Sequence, residues 1–161
     1  MNRKSFGVLL LLTAGAACGA WMMDLPVAAS AQEKSADASS WKSAAKPVET
    51  SMHEYMEYVN QPTFKSLKSE MADAQDPNWG AIKSGALILA ESANLVLLRG
   101  PELDRETWVK DATAVREAGR RFYRAAHEKD FDLARKNYEM MVANCNQCHQ
   151  NFAHGEHQLT P

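Results

Sequence analysis

Two cysteines and a histidine late in the sequence form its most reactive group of residues. They lie in the stretch NCNQCHQNF, residues 144–152, as Cys145, two spacer residues, Cys148 and then His149. This Cys-x-x-Cys-His pattern is compatible with three kinds of chemistry: a redox-active dithiol, part of a tetrahedral zinc site, or the covalent attachment of a haem. The surrounding sequence has to discriminate among them.

The first two chemistries need a context that this sequence does not offer. A redox dithiol normally lies at a helix N-terminus after a strand, where the helix dipole lowers a thiol pKa; here the motif ends a helical pattern, and no segment has a strand pattern. A zinc site needs four ligands. Adding His154 and His157 gives Cys-x2-Cys-x5-His-x2-His, whose central gap is much shorter than the loop that brings the ligand pairs of a zinc finger together.

Covalent haem attachment uses every member of the motif. Each thiol adds to one vinyl group of the porphyrin, and the following histidine lies under the iron as its proximal ligand. Such a link also keeps the cofactor in a protein that works outside the cytoplasm. The sequence therefore predicts one haem c, held by Cys145 and Cys148, with His149 bound to the iron.

The first 31 residues have the pattern of a cleaved export signal. Arg3 and Lys4 give a positive start, an apolar run covers residues 6–23, and Ala-Ser-Ala at 29–31 offers small residues at a cleavage site. We therefore predict a periplasmic mature protein. Two alternatives remain open at this point, a retained membrane anchor and a lipoprotein cut before Cys18.

Composition excludes one class of partner. The full sequence has 18 Lys and Arg against 20 Asp and Glu, and the first 31 residues hold two of these bases and one acid, so the mature chain has a formal charge of −3. Such a chain has no basic field for a nucleic-acid backbone. Residues 32–50 are rich in Ser, Ala and Lys without an apolar period, and we expect a flexible leader.

Four one-sided helical segments follow, so residues 51–161 are expected to form an all-α, antiparallel four-helix bundle. Ser51 and Glu54 form a predicted capping box at the start of the first segment, and Pro62 should kink or break it. The second segment begins near Pro77-Asn78 and runs to Arg99. The third and fourth are expected to begin after the capping residues Asp104 and Asp130.

The Cys-x-x-Cys-His motif lies at the end of the last predicted helix and not near the start of the domain. In this arrangement the chain resembles the class II cytochromes c, the cytochrome c′ family. The resemblance covers residues 52–152. Besides CNQCHQNF it includes Trp108 and Phe122 in the third helix, Asp130 before the fourth, and Phe152 three residues after His149. Family members often have Arg or Lys directly after this phenylalanine, whereas this chain has Ala-His, so the electrostatics at the haem edge are not carried over.

The resemblance implies that the first helix supplies the opposite face of the haem, where low-spin members use a methionine. Met56 is the predicted distal iron ligand, and Met52 and His53 are the alternatives. A sixth protein ligand suits one-electron transfer to an unknown redox partner. An unliganded face would instead bind a small gas, nitric oxide or carbon monoxide. We do not expect an enzyme, because only His53 could act as a distal base.

Several other side chains could contribute to a haem site. Arg120, Arg121 and Arg124 are candidates for pairing with a haem propionate, although each is more typical of a solvated surface. Tyr55 and Tyr138 fit buried positions, and Trp108 and Phe122 could pack on the porphyrin or only on other helices. The remaining histidines are expected at the surface: His127, His154 and His157. Members of the family often dimerise through their first two helices, so the resemblance implies a homodimer.

Overall fold

The computed structural model describes residues 45–161, and this part of the chain is helical without a strand. The elements are α1 (Met52–Tyr55), a π-helical turn (Met56–Asn60), α2 (Gln61–Ala72), α3 (Trp79–Leu97), α4 (Arg105–Glu128) and α5 (Phe131–Phe152). The predicted all-α class is confirmed for these residues. The predicted signal peptide (residues 1–31), its alternatives and most of the leader (residues 32–50) lie outside the described part.

The first helical segment is interrupted as predicted, but by a π-helical turn just before Pro62. Proline has no N–H to donate to the carbonyl four residues earlier, and its ring would clash with that carbonyl in a regular α-helix. The chain widens instead, so that the Gln61 N–H donates to the Met56 carbonyl, five residues back. Such single π turns are frequent at functional sites.

The helix caps agree in part with the sequence. The Ser51 hydroxyl accepts a hydrogen bond from the Glu54 N–H at 3.3 Å, as predicted, but the Ser51 N–H donates to Glu49 and not to Glu54. Asp130 accepts from the Leu133 N–H at 2.9 Å and starts α5 as predicted. Asp104 precedes α4 in a left-handed conformation (φ 57°) and makes no side-chain cap, so the cap predicted there is wrong.

Consecutive helical segments run antiparallel, which is compatible with the predicted bundle. Asn60 of the π turn and Leu67 of α2 contact Ser92 and Gly85 of α3, respectively. The backbones of α3 and α4 come close at Gly119, where a Cβ would lie 2.9 Å from the Cβ of Ala90. Along α4 and α5, Trp108 lies against Phe152, Ala114 is bonded by Asn144, and Phe122 lies against Tyr138.

The buried residues form two clusters along the bundle. The larger one includes Leu67, Ile82, Phe122, Met141 and Val142. The smaller one, which we call the end cluster, consists of buried Tyr55, Val96, Trp108 and Ala112 together with partly buried Met52, Met56, Leu97 and Phe152. The end cluster thus joins the start of the first segment, the end of α3, the start of α4 and the end of α5.

Among the described helices, α3 is long and apolar enough to cross a membrane, judged by length and composition alone. Its buried residues include Ile82, Ala86 and Leu89, which belong to the larger cluster. A central helix of a bundle has the same composition as a membrane-spanning one because it packs against neighbours on more than one side. The packing of α3 accounts for the apolar residues on its buried face, whereas Leu87, Ile88 and Leu95 are exposed.

The largest fully buried side chain is Phe122, and its truncation should weaken the fold strongly. Its ring is completely buried and lies 5.6 Å from the ring of Tyr138, centroid to centroid. We expect Phe122→Ala to lower the free energy of unfolding by about 3–5 kcal/mol, because truncation of a buried ring leaves a cavity. Urea unfolding of the full chain followed by circular dichroism measures this.

Val109 provides the matched control for this variant on the same helix, since it is 42% exposed whereas Phe122 is fully buried. We expect Val109→Ala to change the free energy of unfolding by only about 0.5 kcal/mol. Equal losses for the two variants would contradict the placement of Phe122 at the centre of the core.

Candidate functional site

The Cys-x-x-Cys-His motif occupies the last two turns of α5. Cys145 and Cys148 are both free thiols, half-buried and three residues apart. His149 follows Cys145 by four residues, so that all three side chains emerge on adjoining parts of one helix surface. This rigid element places the two sulfur atoms and the imidazole in a fixed order along α5.

Both thiols are protonated at neutral pH. Burial, and next the neighbouring Cys148, raise the pKa of the Cys145 thiol to about 12. Burial, and next the nearby carboxylate of Asp111, raise the pKa of the Cys148 thiol to about 11. A nucleophilic dithiol needs a lowered thiol pKa, which a helix N-terminus or a nearby cation supplies. The surroundings at the end of α5 instead raise the pKa of both thiols, which argues against a redox-active dithiol.

A hydrogen bond to the backbone fixes the tautomer of the His149 imidazole. Its Nδ1 lies 2.9 Å from the backbone oxygen of His157. A carbonyl oxygen can only accept, so Nδ1 carries the proton and Nε2 keeps its lone pair. Burial lowers the pKa of His149, which keeps the ring neutral. The residue predicted to bind iron thus has one free nitrogen.

The four candidate zinc ligands are not assembled into a site. Within residues 45–161, no three His, Cys, Asp or Glu side chains lie close enough together to hold a metal ion. His154 and His157 are exposed, and both adopt left-handed backbone conformations in the chain after α5. The Cys2His2 arrangement considered from the sequence is therefore not formed here.

Met56, the predicted distal ligand, is half-buried in the end cluster, to which Phe152 of α5 also belongs. It begins the π-helical turn, and its sulfur accepts a hydrogen bond from the Asn60 amide at 3.3 Å. The structure thus brings Met56 and the residue three positions after His149 to the same end of the bundle.

A series of hydrogen bonds between side chains orients the amide of Asn60. The Tyr55 hydroxyl lies 2.9 Å from the Ser92 hydroxyl, which donates to the Asn60 Oδ1. The amide nitrogen of Asn60 therefore faces the sulfur of Met56. Asn60 and Ser92 were not among the residues predicted from the sequence. The four-residue spacing from Met56 to Asn60 was a visible signal, whereas the contact with Ser92 on α3 was not.

The two alternatives to Met56 have different surroundings. Met52 is partly buried and packs against the same end cluster. His53 is 72% exposed and lies 3.3 Å from the carboxylate of Glu57, on the solvent side of the helix as its sequence position suggested. Met52 is the matched comparison for Met56, because both methionines contact the same cluster.

Aromatic side chains surround the end of the motif. The rings of Trp108 and Phe152 meet edge to face with centroids 4.9 Å apart, and the Trp108 indole N–H donates to the Val96 carbonyl at 3.2 Å. Trp108 is buried and Phe152 partly so. This pair covers the end of α5 directly after His149 with an apolar surface.

Tyr138 has a buried hydroxyl without a hydrogen-bond partner in the described part of the chain. It lies two turns before Cys145 on the same face of α5, and burial raises its pKa to about 12, with Cys145 as the second cause. Buried hydroxyls are nearly always bonded. The unbonded hydroxyl of Tyr138 therefore has a proton that it could donate to an additional acceptor. Phe122, by contrast, packs on Tyr138 and other helices.

The arginines considered for a propionate lie at the surface. Arg120 pairs with Glu117 at 2.8 Å. Arg121 and Arg124 line a groove of 410 Å³ between α4 and the part of α5 that precedes the motif. His127 is exposed near the end of α4. These residues are not gathered around Cys145 and Cys148.

A buried carboxylate next to the motif was also missed from the sequence. Asp111 of α4 is only 5% exposed and accepts a hydrogen bond from the Asn151 amide at 2.7 Å. Its position one residue before the apolar seam gave no sign of burial. The contact ties the start of α4 to the last turn of α5.

Comparison with family models, with curated proteins and with solved structures finds no match to this chain. The functional interpretation therefore depends on the motif and on the geometry around it.

Proposed function

We propose that this protein is an exported monohaem c-type cytochrome of class II type that transfers single electrons. Cys145 and Cys148 would hold the haem through thioether bonds, His149 would be the proximal iron ligand and Met56 the distal one. When bound, the haem supplies a one-electron couple between ferric and ferrous iron. The periplasm is the proposed location, since residues 1–31 have the pattern of an export signal.

The observation that carries this proposal is the state of His149. Its Nδ1 proton is engaged by the His157 carbonyl, so the neutral ring has Nε2 free for iron. Two protonated thiols lie one turn apart on the same helix, directly before it. The residues present therefore fit a covalently bound haem.

The other residues near the motif have roles that follow from their contacts. Trp108 and Phe152 would exclude water from the haem edge, because their rings pack together at the end of α5. The Tyr138 hydroxyl, which is buried and unbonded, would donate to a propionate. Asn60 would hold the Met56 sulfur in one position through the hydrogen bond that its side-chain amide donates to this sulfur.

The alternative function is binding of nitric oxide or carbon monoxide by a five-coordinate iron. It is favoured by the same Asn60 amide, since a sulfur that accepts this hydrogen bond can be held away from the iron. The two functions share the fold, the covalent link and His149. They differ only in whether Met56 binds the metal.

The visible spectrum of the ferric protein, made with a cytochrome c maturation system, tests the proposed function. A low-spin spectrum that is insensitive to added nitric oxide is expected for six-coordinate iron. A high-spin spectrum that nitric oxide shifts would reject electron transfer in favour of gas binding. A pyridine haemochrome assay on the same sample reveals whether haem is attached.

The redox partner is proposed only as a class, a protein that exchanges one electron. A homodimer is likewise a proposal that follows from the family resemblance. The side chains of Tyr58 on the first segment and of Ile88 and Leu95 on α3 are exposed. Size-exclusion chromatography with light scattering distinguishes a monomer from a dimer.

A further inference from the structure

We infer that residues 153–161, which we call the strap, control the proximal ligand of the proposed haem site. They fold back over the last turns of α5 and hold His149 in the orientation and tautomer that iron binding needs. This inference rests on the proposed function and deepens it, since it assigns the control of the proximal ligand to Asn146, Lys68 and the strap.

The first residues of the strap are hydrogen-bonded to the backbone of His149. The N–H groups of Ala153 and Gly155 both donate to the His149 carbonyl, at 2.8 and 3.1 Å. His154 and Gly155 have positive φ angles of 52° and 77°, which reverse the direction of the chain. A Cβ at Gly155 would meet only the flexible end of the exposed Gln150 side chain, so the positive φ is the reason that glycine suits this position.

Two clamps fix the far part of the strap. The Asn146 side chain donates to the Leu159 carbonyl at 2.9 Å and accepts from the Leu159 N–H at 2.7 Å. The Lys68 ammonium group of α2 lies 2.7 Å from both the carbonyl and the hydroxyl oxygen of Thr160. Leu159 also packs against the larger buried cluster. The strap therefore bridges α5 and the first helical segment.

His157 lies between the turn at Gly155 and the clamp at Leu159. Its carbonyl is thereby held at 2.9 Å from the Nδ1 of His149. No side chain of His157 is needed for this bond, because the backbone oxygen makes it. The position of the carbonyl depends on the clamps, and Asn146, a spacer residue of the motif, contributes two of their hydrogen bonds.

The consequence for a bound haem is electronic as well as geometric. A hydrogen bond from Nδ1 to a fixed carbonyl makes the opposite nitrogen a stronger donor to the metal, and loss of such outer partners typically costs about 10- to 100-fold in metal affinity or activity. A stronger donor favours ferric over ferrous iron. If release of the strap lowers this preference about tenfold, the reduction potential rises by about 59 mV for a one-electron couple.

The two spacer residues of the motif give a matched pair of variants for the test. Asn146→Ala removes both bonds to Leu159, whereas Gln147→Ala alters an exposed residue whose side chain reaches only Asn151, at 3.3 Å. We expect Asn146→Ala to raise the reduction potential of the haem-loaded protein by about 59 mV, the shift that corresponds to a tenfold change. Gln147→Ala should leave the potential at the wild-type value.

A second readout reports the hydrogen bond itself. In ¹⁵N-labelled protein, the Nδ1 proton of His149 should exchange slowly with solvent in the wild type and in Gln147→Ala, and quickly in Asn146→Ala. If Asn146→Ala does not acquire haem, Lys68→Met releases the strap from α2 without touching the motif. It should shift both readouts in the same direction.

Unchanged potential and unchanged exchange in both Asn146→Ala and Lys68→Met would overturn the inference while leaving the proposed function intact. A wild-type protein without haem in the pyridine haemochrome assay would overturn both. The assay precedes the measurement of potential, so the two failures are distinguishable.

Discussion

Replacement of both Cys145 and Cys148 by serine is expected to abolish covalent haem attachment completely. Each thiol supplies one thioether bond, and a serine hydroxyl does not replace a sulfur atom in this addition. The polypeptide recovered from the periplasm should have the mass of the bare chain, and any red colour should be removed by extraction with acidified organic solvent. Haem staining of a denaturing gel together with intact-mass measurement follows this.

The third cysteine of the sequence provides the control. Cys18 lies in the predicted signal peptide, so Cys18→Ser should leave the haem content of the mature protein unchanged. Variants at Cys145 or Cys148 alone should each retain one attachment point. Full covalent haem in the double variant would contradict the assignment of the motif.

The second large effect is expected from Met56→Ala. If the Met56 sulfur is the sixth ligand, its removal converts the iron from six- to five-coordinate, and the ferric spectrum should change from low-spin to high-spin. The variant should also gain a spectral response to nitric oxide that the wild type lacks. Absorption spectra of the ferric protein, recorded before and after addition of nitric oxide, measure both changes.

Met52→Ala is the matched control for this experiment, since Met52 packs against the same end cluster four residues earlier. It should keep the low-spin spectrum and the insensitivity to nitric oxide. A spin-state change in Met52→Ala but not in Met56→Ala would assign the distal position to Met52. High-spin iron in the wild type would favour the gas-binding function instead.

The helices could be predicted because their signals are local. The apolar seam that includes Trp108 and Phe122 repeats at the helical interval, and both residues are buried in α4 as that pattern implies. Asp130 precedes an apolar run and makes the expected cap. These features depend on neighbours within a few residues, which a single sequence displays.

The local failures have local causes. Asp104 has the residue type of a cap, but its left-handed backbone leaves the carboxylate without a helix N–H to bond. Pro62 predicted an interruption of the helix. The choice between a kink, a break and a π-helical turn, however, depends on how the flanking side chains pack. Residue type fixes what a position can do, and backbone conformation decides whether it does so.

The candidate site required contacts that are distant in sequence. Lys68 meets Thr160 across 92 positions, and Ser92 meets Asn60 across 32. Neither pair leaves a periodic pattern. The motif itself was evident, because its three chemical groups lie within five residues. The strap and the hydrogen bonds that surround Met56 were not, and these are the features that would adjust a haem bound there.

The intact mass of the mature wild-type protein, measured under denaturing conditions after export and maturation, tests the central claim most directly. We predict the mass of residues 32–161 increased by one haem, which stays attached when the chain is unfolded. The mass of the bare peptide, with or without the loss of two hydrogens to a disulfide, would contradict the account.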